Sequence, residues 1–115
     1  MTREHSPRLA LEERIVYLSE SEGQITGMIA GHLTRRYRCS GEVQWVDVDF
    51  SRSRRGIASA LLYVLADWFV ERDALRVCVD VRPENERARA FYRARGAEVL
   101  NEHWMVWKDI SAILR

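Results

Sequence analysis

Chemistry concentrates in one short stretch, Val46-Asp47-Val48-Asp49-Phe50-Ser51-Arg52-Ser53-Arg54-Arg55-Gly56-Ile57-Ala58-Ser59-Ala60-Leu61-Leu62. It opens as a β-branched, strand-like run, breaks into a polar arginine-rich turn, and resumes at Gly56 with helical periodicity. A strand, a basic turn and a helix start in this order suit an anion. First-turn N–H groups have no intrahelical acceptor, the helix dipole is positive there, and glycine lets a ligand approach the backbone. Arg52, Arg54 and Arg55 add full positive charge at the same point. The arginine fork matches a phosphate better than a lysine's point charge does. The same residues also read as a plain strand-to-helix connection with a solvated basic loop, so the rest of the chain has to decide.

The elements around that stretch follow from pattern. Ile15–Leu18 reads as a strand, Ser19–Gln24 as turn material, and Ile25 to about Tyr37 as a longer second strand, which makes a β-hairpin. Cys39-Ser40-Gly41 turns the chain into a third strand, Glu42–Asp49, with Val46 and Val48 on one face and Trp45, Asp47 and Asp49 on the other. Ile57, Leu61, Val64, Leu65 and Trp68 recur at helical spacing, so Gly56 to about Arg72 is an amphipathic helix. Arg76–Val81 is a short apolar strand, and a strand, helix and strand of this length form a right-handed crossover with parallel strands. Pro83 at a helix start and Glu84–Arg95 give a second helix that Gly96 stops. Ala97–Leu100 and His103–Asp109 fit a closing pair of strands, and Leu9–Arg14 fits a short helix or arm.

Composition narrows the class. A length of 115 residues suits a single domain, 1–115, with a real core, and 47% hydrophobic with 30% charged residues excludes a disordered chain. Lys108 is the only lysine, and a net charge of +1 argues against a general nucleic-acid binder. Cys39 and Cys78 lack metal-type spacing. Cys78 reads as buried and Cys39 as a loop residue, which gives a reduced, cytoplasmic protein as the default. The polar N-terminus has no apolar signal core, and no apolar run approaches the roughly 18 to 20 residues of a membrane span.

Two motifs in order carry a family resemblance. Gly56-Ile57-Ala58 with Ala60-Leu61-Leu62, then Asn85, Ala88, Phe91, Tyr92 and Gly96, resembles the GNAT superfamily of acetyl-CoA-dependent N-acetyltransferases. The first part is similar to the family's Q/R-x-x-G-x-G/A loop, the second to its N-x-x-A-x-x-F-Y-x-x-x-G helix, and the likeness covers about residues 14–109. Ser53 stands where the family usually has Gln or Arg, and Ala97 replaces the common aromatic after Gly96. The resemblance implies an α/β fold with a mixed central sheet: an antiparallel N-terminal part, a β-α-β crossover and a second helix. It also implies an N-terminally short member, because about a dozen residues precede Ile15 where the family usually has a strand and two helices.

For function, the resemblance implies transfer of an acetyl group from acetyl-CoA to a primary amine. The pyrophosphate would sit on Arg54, Arg55, Gly56, Ile57, Ala58 and Ser59, and the pantetheine arm along Val46, Asp47 and Val48. A strand N–H near Val48 would hold the oxyanion, and Tyr92 matches the tyrosine that protonates the leaving thiolate. Tyr92 also reads as a helix tyrosine packing on the sheet. An ammonium acceptor with a pKa of about 10.4 must lose a proton before attack. Glu42 and Asp80 resemble carboxylates that different members use for this, and Asp47, on Trp45's strand face, is a third candidate. Each reads equally as a strand-edge charge. Asn85 reads as a helix-start residue, a cofactor contact, or both. His32 and His103 read as structural, and Trp104 with Trp107 as core or interface. Two other classes fit the same residues: a non-catalytic acyl-CoA-binding module, and a nucleic-acid-binding domain using Arg35, Arg36, Arg38 and the Arg52–Arg55 cluster. An open hairpin edge predicts a homodimer that covers this edge or the Trp104–Trp107 surface.

Overall fold

Ile15, Ile29, Val43 and Val48 fall on one side of a mixed sheet, and the helix Ile57–Glu71 (α1) lies across them. The computed structural model describes residues 14–48 and 56–115. Its strands are β1 (Arg14–Ser21), β2 (Gln24–Leu33), β3 (Gly41–Val48), β4 (Val77–Asp80), β5 (Glu98–Val99) and β6 (Trp104–Trp107), with a second helix, α2 (Glu86–Ala94). They form a six-stranded sheet in the order β1-β2-β3-β4-β6-β5. The first three strands are antiparallel, β3 and β4 are parallel across the α1 crossover, and β4, β6 and β5 are antiparallel again. This is the mixed α/β architecture expected, with its antiparallel start, crossover and second helix.

The local reasons are readable. Ala58, Leu61, Leu62, Leu65 and Phe69 recur at three- and four-residue spacing and are buried, which turns one broad face of α1 onto the sheet. A Cβ on Gly41 would lie 2.5 Å from the Phe69 ring, so a glycine is what lets the helix come this close. Val64, assigned to the buried face from the sequence, points outward instead. α1 and α2 share one apolar core with Val77, Val79, Met105 and Trp107. The opposite sheet face carries a smaller cluster, Cys39, Cys78 and Val106. Cys39 sits in the loop before β3, as expected, and is buried there.

Several expected boundaries shift. β2 ends at Leu33, because Arg36–Arg38 form a 3₁₀ turn in which Tyr37 and Arg38 take φ of 53° and 62°, values a strand cannot contain. α2 begins at Glu86 with Asn85 as its cap, which leaves Pro83 and Glu84 in the turn before it. The two closing strands are shorter than expected, and Ile110–Leu114 adds a terminal 3₁₀ turn against α1. Trp107 is 1% exposed and belongs to the core, so the Trp104–Trp107 run is not a surface available to a partner. Arg14 opens β1; the rest of the Leu9–Arg14 expectation, like Asp49, lies outside the described residues.

Candidate active site

β3 and β4 pair over only three positions, Gly41 with Val77, Glu42 with Cys78 and Val43 with Val79, and then separate. A β-bulge marks the point. Pairing with β2 passes from Ala30–Trp45 to Gly31–Val43, so Gln44 is an extra residue on β3. A bulge bends its strand and increases its twist, which carries the upper half of β3 away from β4. The gap is a cleft of about 760 Å³. Gln44, Trp45 and Val46 form one wall, and Val79, Asp80 and Val81 the other. Above the bulge β3 is paired, among the described residues, on its β2 side alone, so the backbone groups that alternate outward on its other edge face the cleft.

α2 closes the cleft from the helix side through Asn85, Ala88 and Tyr92. The Asn85 side chain accepts a 3.1 Å bond from the Ala88 N–H, which starts the helix. Arg89 then ties it down, donating to the carbonyls of Val81, Arg82 and Glu102 around the far wall. Tyr92 is 6% exposed and packs edge-on against Trp107 at 5.6 Å and Phe91 at 5.4 Å. Burial pushes its phenol up to about 12, so it stays protonated well beyond neutral pH. Asp80 is exposed at the cleft and pairs in register with Trp104, which also lines it.

The helix start lies beside the end of β3. The side chains of Ile57 and Val48 both come within 3.1 Å of where a Cβ on Gly27 would stand. Gly56 takes a left-handed φ of 73°, while the space around it is open. The glycine therefore supplies a backbone turn that side-chain-bearing residues resist. The Ala60 N–H bonds to the Gly56 carbonyl, which leaves the N–H groups of Ile57, Ala58 and Ser59 as the helix start without an acceptor inside the helix, and the first turn holds no acidic residue. Arg54 and Arg55 lie outside the described residues.

The three carboxylate candidates go to three different places. Asp80 lines the cleft. Glu42 is 8% exposed on the sheet face away from the helices, accepts a 3.3 Å bond from Arg36 Nε, and stands 3.7 Å from His32 Nε2. Asp47 borders a shallow depression with Ile25, Gly27 and Met28, and Val48 is buried against α1. Of Val46, Asp47 and Val48, only Val46 lines the cleft, together with Gln44 and Trp45 of the same strand.

The acetyltransferase (GNAT) family model matches residues 2–97. The chain belongs to this family. An acetyltransferase from Bacillus cereus ATCC 14579 superposes with a TM-score of 0.71 at 17% identity, over 90% of this chain and 79% of that one. Aminoglycoside 6'-acetyltransferase type Ii gives 0.70 at 19% identity, over 85% and 70%. The PaiA N-acetyltransferase from Thermoplasma acidophilum, solved in complex with coenzyme A, gives 0.70 at 13% identity, over 84% and 60%. At these identities the likeness shows the fold. No curated protein matches the chain.

Within this GNAT fold, sequence reasoning missed Gln44, Arg82 and Arg89, and it set His103 and Trp104 aside, although all but Arg89 line the cleft. A lone Gln in a strand looks like any solvent-facing residue, and Arg89 is one of many arginines. Their signal is positional and appears only when the strands separate. Arg36, counted with a basic cluster, is instead engaged with Glu42 and stacks at 5.0 Å over Trp104.

Proposed function

We propose that this GNAT protein moves an acetyl group from acetyl-CoA to a primary amine by direct attack inside the β3–β4 cleft. One observation carries the reading: a single cleft has a half-unpaired strand edge on one wall, a buried protonated tyrosine on another and an acid-free helix start beside it. The chain fits the group it would hold. An extended amide-bearing arm can add to the free edge at Gln44–Val46 as a strand would. A diphosphate can accept from the N–H groups of Ile57, Ala58 and Ser59, with Gly56 holding the turn and Arg54 and Arg55 adding charge.

Acetyl-CoA supplies an activated acyl carbon and a thiolate leaving group. Asp80 is the favoured proton acceptor for the incoming ammonium, since it is the one candidate carboxylate in the cleft wall. N–H groups on the free edge of β3 face the developing oxyanion. Tyr92 donates its proton to the departing sulfur, and its high pKa keeps that proton in place until then. Asn85 contributes by starting α2 and so fixing Tyr92 in the wall. Among the described residues β1 has β2 as its one strand neighbour, which supports a homodimer.

The test is an amine-acceptor screen that follows free-thiol release from acetyl-CoA, alongside calorimetry. Wild-type protein should bind acetyl-CoA in the micromolar range, about −8 kcal/mol. Gly56→Glu, which forces a side chain into a left-handed turn and adds a repelling carboxylate, should abolish binding while leaving the folded spectrum. Equal binding by the folded variant would sink the reading. Binding without turnover across the screen would point instead to an acyl-CoA-binding module.

A further inference from the structure

Two tryptophans and a carboxylate share the sheet face that looks away from the helices. Ile29 belongs to the helix-side core, and a Cβ on Gly31 would meet Leu65 and Phe69 of α1, so Ala30 between them points the other way. Trp45 pairs with Ala30 across the β2–β3 ladder and therefore shares its face. Trp104 packs on the small cluster of Cys39, Cys78 and Val106 on that same face, and Asp80 pairs with it in register. In the strand order β3-β4-β6, Asp80 stands on the middle strand with a tryptophan on each neighbour, and all three residues line the cleft. We infer that this side of the cleft takes the acceptor, and that the acceptor is a primary monoamine carried on a short arm from an aromatic ring. The inference rests on the acetyl-transfer reading above and names the acceptor class which that reading leaves open.

Sidedness is the first argument. Asn85, Ala88 and Tyr92 close the cleft from the helix side, and the start of α1 proposed for the diphosphate is on that side too. A cofactor arriving from there leaves the opposite face for the amine. The ammonium gives one proton to Asp80, and its nitrogen then bonds the acyl carbon as the C–S bond breaks. The thiolate takes the Tyr92 proton, and the second amine proton returns to the Tyr92 oxygen. An amine seated at Asp80 has an indole on either side.

The rings are the second argument. Trp45 is 39% exposed and makes no ring contact among the described residues. Large apolar side chains gathered open in a cleft mark a binding surface. Trp104 is held instead, with the Tyr37 ring edge-on at 5.4 Å and the Arg36 guanidinium at 5.0 Å. Tyr37 reaches it from a left-handed turn, φ 53°, which a bulky residue resists. Two indoles offer an aromatic ring the offset or edge contacts it prefers. Charge then limits the amine. Asp80 is the one carboxylate among the lining residues, whereas Arg82 lines the same cleft and Arg36 sits over Trp104. One ammonium is matched, but the further ammoniums of a polyamine would meet arginine. Tryptophans that merely covered the sheet would give no preference among amines.

Initial rates of free-thiol release at saturating acetyl-CoA, measured on the full chain with 2-phenylethylamine, n-butylamine and spermidine, test this. Wild-type kcat/KM for 2-phenylethylamine should exceed that of each other amine by about tenfold or more, the scale of filling an apolar pocket. Trp45→Ala, at an exposed position and checked for a native circular dichroism spectrum, should cut the preference over n-butylamine to about twofold or less, chiefly through KM. Trp45→Phe should restore most of it. Equal or better turnover of n-butylamine or spermidine by wild-type protein overturns the inference, needs no variant, and leaves acetyl transfer standing. A full preference in a folded Trp45→Ala overturns it as well. If none of the three reacts while the wider acceptor screen finds another amine, the inference falls alone. If that screen finds none, the acetyl-transfer reading falls with it.

Discussion

Tyr92 is where burial and proposed chemistry meet, and they make separable predictions. If its hydroxyl protonates the leaving thiolate, Tyr92→Phe should keep the fold and the cofactor affinity, because the ring still packs on Trp107. Turnover should fall by about 10²-fold or more, the low end for general acid catalysis. Unchanged turnover at saturating acetyl-CoA with a confirmed acceptor would leave Tyr92 a packing residue. The raised phenol also links to stability. An unfolded tyrosine ionises near pH 10, while the folded one holds its proton to about 12. Between those values the folded state binds more protons, so stability is full below about pH 10 and is lost as pH rises toward 12, by roughly 3 kcal/mol. Urea melts at pH 9 and pH 12 should show a steeper loss in wild type than in Tyr92→Phe. The carboxylates give a third signature: Asp80→Asn should move the acidic limb of the rate profile, which Tyr92→Phe leaves in place. Glu42→Gln, away from the cleft wall and held by Arg36, should instead lower stability and spare the limb.

At the scale of elements, the cap of α2 positions a whole cleft wall. Asn85→Ala removes the acceptor for the Ala88 N–H and should cost about 1 kcal/mol in denaturant melts. A variant as stable as wild type would mean that Arg89 holds the helix start by itself. Both helices, the hairpin and the crossover were legible, because the apolar spacing around Leu61 and Leu65 and the alternation around Val46 and Val48 each have one periodic solution. The bulge was not. One inserted residue at Gln44 leaves a run of exposed polar and aromatic positions that alternation cannot resolve, and the splay it causes decides which of Val46, Asp47 and Val48 reach the cleft. The end of β2 was misread because Tyr37 and Arg38 are not residues that announce a positive φ. A bond from Arg95 to Ser59 spans 36 positions and involves two unremarkable residue types, so only the packed helices reveal it. The helix start was legible from Gly56, although the reason differs: the backbone needs a left-handed turn there, while the space around it is open.

At the scale of the molecule, one sheet edge is protected and the other is long. β5, two residues in length, ends the sheet on one side. β1 ends it on the other with eight residues, and its one strand neighbour among the described residues is β2. Short edges resist adding another strand, whereas a long one presents a row of backbone donors and acceptors. Leu18 on that strand is 53% exposed, and Ile25 just beyond the hairpin turn is 57% exposed, so apolar surface accompanies the free edge. No helix among the described residues is long and apolar enough to cross a membrane. Two copies joining through β1 would bury both features about a twofold axis. Light scattering at high micromolar concentration should therefore give a homodimer, and Leu18→Arg should return it to a monomer by putting like charges in register across the axis. The cleft lies two strands away, between β3 and β4, so the monomeric variant should keep its acetyl-CoA affinity. A wild-type monomer at that concentration would show that β1 stands as an open edge, and a dimer untouched by Leu18→Arg would put the interface elsewhere.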